Sequence, residues 1–183
     1  GVLPHVVLPE GVPQPVVDHA VHEGLVAGLD AVAVAEEIVR CCGHGLLATG
    51  HDVVRALNDR EDSPRYDEIK LLGVGHGKVA QAPLAQELKK IFASADVFGG
   101  PRRGDYHEEA KKFFVNYFKQ IALVFGGAWN GRKYSIRSAS ALRAFIRVAP
   151  DVIRRLDQEH AERGDFRAIG RVIAPWGRRI GDL

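Results

Sequence analysis

The sequence predicts a mainly α protein: a multi-helix bundle with at most a small β element near 69–74 and 133–136. Three observations carry that expectation. Apolar residues recur at three-to-four spacing, most clearly at Ala110, Phe113, Phe114, Tyr117, Ile121, Val124 and Phe125. Glycine, proline and capping residues punctuate these periodic stretches. The 183 residues are 46% hydrophobic and 26% charged, a globular balance in a chain long enough to bury a core without staples.

The elements follow in order. Pro4, Pro9, Pro13 and Pro15 each remove a backbone donor, so residues 1–15 read as an extended, Pro-rich lead-in. Residues 16–183 form a single helical domain, divisible into an acidic part, 16–93, and a basic part, 106–183. A first helix begins at Val16, with Val17, Val21 and Leu25 on one face. Asp30 caps a second, carrying Val34, Ile38 and Cys41/Cys42, which Gly43 and Gly45 stop. A short helix at 51–58 turns Val53, Val54 and Leu57 inward, and Asn58 to Pro64 is turn chemistry. Ile69 to Val74 is β-like and ends at Gly73, Gly75 and Gly77. Pro83 fits the first turn of a helix burying Leu84, Leu88, Ile91 and Phe92, and a loop covers 94–105. The strongest helix runs from Tyr106 to Phe125 and ends at Gly126-Gly127, before a short extended piece at Lys133–Ile136. Ser138 or Ser140 caps a helix burying Leu142, Phe145 and Ile146. Pro150 starts another with Ile153 and Leu156, closed by Gly164; Asp165 caps the last, with Phe166, Ile169, Val172 and Ile173 inward.

Candidate catalytic motifs fail on spacing. Gly73-Val74-Gly75-His76-Gly77-Lys78 has one residue too few for a Walker loop, and Val79 stands where a magnesium-binding hydroxyl belongs. His19 and His22 lie three apart rather than four, without the intervening glutamate of a metalloprotease helix. Adjacent Cys41 and Cys42, with His44 and His51, make a poor chelating set and no disulfide framework. Neither metal nor cofactor is predicted, and the leaning is away from an enzyme. No apolar run is long enough to span a membrane and the first residues lack a basic start, so neither a membrane partner nor a secretory signal is expected; two adjacent cysteines without a disulfide framework make a reducing, cytoplasmic setting the expectation. With no methionine, the chain is expected to be a piece of a longer protein, its N-terminal partner domain missing.

The net charge of +2 hides an asymmetry. Residues 1–100 carry 8 Lys and Arg against 14 Asp and Glu; residues 101–183 carry 17 against 9, and 13 of those cations are arginine. The balances are −6 and +8. Arginine's planar fork suits phosphates. Arg143 and Arg147 share a helix, Arg154 and Arg155 the next, Arg167 and Arg171 the last, and Arg178 and Arg179 follow. Packed side by side, those helices present a basic face to a nucleic-acid backbone. The competing expectation is a set of solvated faces partly neutralised by Asp151, Asp157, Glu159 and Glu162.

The order of several segments resembles the C-terminal region of DGQHR-domain proteins, a bacterial family that includes the regulator of the Dnd DNA-phosphorothioation system. They are Val54-Arg55-Ala56-Leu57-Asn58, Asp62-Ser63-Pro64, Ile69-Lys70-Leu71, Gln81 to Leu88, Asn116-Tyr117-Phe118, Val124-Phe125, Trp129 and Ser138 to Leu142. They spread over roughly residues 51–176, about two thirds of the chain. The Asp-Gly-Gln-His-Arg signature, which belongs to the family's ParB-like N-terminal domain, is absent, so no catalytic or binding residue carries over. The resemblance implies a DNA-associated regulatory or defence module, non-catalytic, whose partners are DNA, itself or the missing domain. The alternative is a protein-interaction or oligomerisation module in which the acidic and basic halves dock, within or between chains.

Overall fold

A computed structural model describes residues 31–72, 76–98, 106–131 and 134–180. The expected lead-in and first helix, His19 and His22, and Gly73 to Gly75 lie outside them, as do the side chains of residues 31–44, Cys41 and Cys42 included, and of residues 178–180. The elements are α1 (Ala31–Asp59), β1 (Ile69–Lys70), β2 (Val79–Ala80), α2 (Gln81–Ala93), α3 (Ala95–Phe98), α4 (Tyr106–Asn130), α5 (Ala139–Gln158) and α6 (Phe166–Ile180). The protein is mainly α, as the periodicity predicts. The chain divides into two compact units, Gly1–Ile38 and Val39–Leu183, and all the side chains described below belong to the second.

The second unit is layered around α4. Its period places Ala110, Phe113, Phe114, Tyr117 and Ile121 at full burial. Side chains of this size contribute about 1.5–3 kcal/mol each when buried. α4 packs on α6, α2 on α5, and α5 on α6. The α4 aromatics continue a cluster begun by Phe92 of α2 and Phe98 of α3: Phe92 meets Phe114 edge-on at 6.3 Å, and Phe98 meets Phe113 at 6.1 Å. The Thr49 hydroxyl donates to the Gly45 carbonyl and hydrogen-bonds the Tyr106 hydroxyl and His107 Nδ1, each at 2.8 Å, tying α1 to α4.

Several boundaries differ from expectation, among them α3 (Ala95–Phe98), a short helix inside the expected loop at 94–105. α1 runs through Gly43 and Gly45, because Leu46, Val53, Val54 and Leu57 stay on a buried stripe and burial outweighs the weak helix propensity of glycine. α5 runs through Pro150, since Leu142, Ile146, Ala149, Val152, Ile153 and Leu156 form one continuous buried face. The long helix breaks at Gly126, as expected: its φ of 39° and ψ of −110° are glycine geometry, and a further helical turn to Asn130 carries Trp129 into the core. The β element is a parallel pairing of Ile69 with Val79 and Lys70 with Ala80, while residues 134–137 form bend and turn instead of the expected extended piece. Two caps match expectation: Ser138 Oγ accepts from Ala141 N at 3.3 Å, and Asp165 Oδ1 from Ala168 N at 2.7 Å. Ile169 and Ile173 are buried, whereas Phe166, expected inward, is 38% exposed because it occupies the first position of α6, beyond the packed stripe.

Candidate functional site

The predicted arginines separate into three groups. Arg143 and Arg147 sit one turn apart on α5, and both reach the carboxylate of Glu87 on α2. Arg143 donates through Nε and Nη2 to Oε1 at 3.1 and 2.7 Å. Arg147 donates through Nε to Oε2 at 3.0 Å and through Nη2 to Oε1 at 2.8 Å. Lys90 adds longer contacts of 3.4 Å to both oxygens. Glu87 is 3% exposed, so the two forks bury and neutralise it while keeping an outer edge in solvent. The forks of Arg147 and Arg143, in that order, hold the Glu87 carboxyl well below the usual carboxylate range. These arginines therefore clamp α2 to α5. Three cations surround one carboxylate, and the seam remains positive.

Arg154 and Arg155 are exposed and paired within α5 or its cap, Arg154 with Asp151 and Arg155 with Glu159. Such surface pairs contribute little to stability and leave a surface close to neutral. Arg167 and Arg171 differ. Both are exposed on α6, one turn apart, and neither has an acidic partner among the described residues. The backbone of α6 carries on through Arg178 and Arg179, whose side chains lie outside the described residues.

Sequence reasoning missed two features. One is Glu87 itself, a buried carboxylate that reads in sequence as one more charge on a polar helix face. The other is a second basic constellation. Arg65, in the turn after α1, is 2% exposed, and its Nη1 meets Glu68 Oε2 at 2.7 Å. Arg137, in the turn before α5, pairs with the other oxygen of Glu68. His76, Lys78, Asp67, Asn130 and Gly131 complete a cleft of about 480 Å³ beside β2. A shallower cleft of about 460 Å³ shares Arg137 and Asn130 and is floored by Trp129, with Leu123 and Phe166 on its rim.

No group of three or more His, Cys, Asp or Glu side chains suited to a metal ion occurs among the described residues. No helix among them is long and apolar enough to cross a membrane. Comparison with protein-family models, curated proteins and solved structures returned no match to this chain.

Proposed function

We propose that this chain is a non-catalytic, DNA-associated helical module, of the DGQHR type its segment order resembles, acting in regulation or defence in the cytoplasm. The observation that carries the reading is the pair Arg167 and Arg171, exposed on α6 with no acidic partner among the described residues. Two unneutralised guanidinium groups one turn apart suit adjacent phosphates, and the seam of Lys90, Arg143 and Arg147 between α2 and α5 is a second positive surface. Arg154 and Arg155 contribute less, because Asp151 and Glu159 cancel them. Binding is electrostatic, independent of base sequence, and steeply weakened by salt. Fluorescence anisotropy with duplex DNA across a salt series tests it. Arg167→Ala with Arg171→Ala is expected to lower the slope of log K against log salt by about 2 and to weaken binding uniformly across sequences. Absence of binding by the parent chain at low salt would sink the reading.

A second reading, a protein-interaction module, is favoured by the exposed apolar side chains Leu123, at 65%, and Phe166, at 38%, over the Trp129 cleft. Light scattering separates the two: self-association that persists in salt while DNA binding is absent selects the second.

A further inference from the structure

The cleft around Glu68 takes no part in helix packing or in the nucleic-acid contact proposed above. We propose that it binds a phosphate monoester, the phosphoryl group being held by Arg65 and Arg137 from the floor and by Lys78 and His76 from the rim. The Arg65 side chain is 3% exposed, and its Nε is buried with no hydrogen-bond partner. A buried donor on a charged group demands an acceptor, and an incoming oxygen would supply one. Glu68 does not meet that demand alone, since it is shared between Arg65 and Arg137.

The charge count agrees. Arg65, Arg137 and Lys78 stand against Asp67 and Glu68, an excess of one positive charge before His76 is considered. Burial, and next the charge of Arg137, push the Arg65 guanidinium down to about 10, as expected of a desolvated cation beside a like charge. A tetrahedral phosphoryl group accepts from several directions at once, whereas a planar carboxylate offers only two oxygens. The C-terminal end of α4 faces the cleft through Asn130 and opposes an anion. Its influence falls off within a turn and is weaker than a charge-assisted hydrogen bond.

The backbone builds the cleft. Asp67 adopts a φ of 53°, a left-handed turn that folds residues 65–68 back toward β1. A Cβ at Gly77 would lie 2.4 Å from the Glu68 carbonyl oxygen, so only glycine lets the segment bearing His76 and Lys78 close over Glu68. The volume of about 480 Å³ exceeds what a phosphate fills and lies in the range for small organic ligands, so the remainder, beside Val79 and Asn130, accommodates the organic part of the ester.

Isothermal titration calorimetry at constant ionic strength, with inorganic phosphate and with adenosine 5′-monophosphate as probes, tests the proposal. Both are expected to bind saturably at one site per chain. Lys78→Ala and Arg137→Met are each expected to weaken binding by about tenfold or more, a loss of one charge-assisted contact. Lys78 is exposed, so its variant keeps the fold. The double variant Arg167→Ala and Arg171→Ala is expected to bind both probes like the parent, which separates this site from the nucleic-acid surface. No saturable heat from either probe up to about 10 mM, undiminished binding in both cleft variants, or loss of binding in the α6 variant would each overturn it.

Discussion

Glu87 shows how one residue can redirect a charge pattern. The sequence displays a cationic stripe on α5, and the arginines on it are legible. Their engagement is not, because nothing local distinguishes a carboxylate that will be buried from one that will be solvated. Arg65 is opaque for the same reason: its partners, Glu68 and Arg137, come from separate turns, and only the fold brings them together. The buried carboxylate has a pH consequence. Its ordinary value is 4.5 and the folded state holds it lower, so its contribution is complete above about pH 4.5 and is lost as the pH falls below it. Exposed Asp62, lowered by Arg60 and Lys119, adds only a solvent-screened share in the same direction. Glu87→Gln is expected to cost about 1–3 kcal/mol at pH 7, below the toll of a fully buried pair because Arg143 and Arg147 can turn to water. It should also flatten the loss of stability below pH 4.5. Urea denaturation at pH 7, 5 and 3 checks both; equal stability of variant and parent at pH 7 contradicts the clamp.

Whole elements were more legible than their ends. The α4 stripe could be read residue by residue, since an aromatic-rich helix at the centre of a core shows its period undiluted. The helix ends at Gly43, Gly45 and Pro150 misled, because local propensities of about 1–3 kcal/mol are overridden when both flanks bury apolar faces. Two glycines of α1 illustrate the balance. Gly45 has nothing within 4 Å of an added Cβ, so Gly45→Ala is expected to stabilise the fold by about 0.5–1 kcal/mol through helix propensity alone. At Gly50 the same Cβ would lie 2.7 Å from the Ala85 carbonyl oxygen of α2, so Gly50→Ala is expected to cost about 1–3 kcal/mol. Thermal melts of the two variants should move in opposite directions; a stabilised Gly50→Ala would show that α1 and α2 approach less closely than described.

Across the whole molecule, the charge asymmetry was plain in sequence and its use was not. Cations of the basic half serve the acidic half within one chain: Lys119 pairs with Asp62, Arg137 with Glu68, and Arg143 and Arg147 with Glu87. All of these pairs, and the described core, lie in the unit Val39–Leu183. A chain of residues 39–183 alone is expected to unfold in a single cooperative transition by circular dichroism; a broad, non-cooperative melt would refute the division. The α2–α5 clamp also has a bearing on synthesis. Glu87 precedes its two arginines by 56 and 60 residues. At about 5–20 residues per second, the ribosome holds them apart for about 3–12 s. During that interval the Glu87 carboxylate has no clamp, and α2 has no α5 to cover its apolar face. The nascent acidic half is therefore exposed to chaperones and proteases until the basic half emerges.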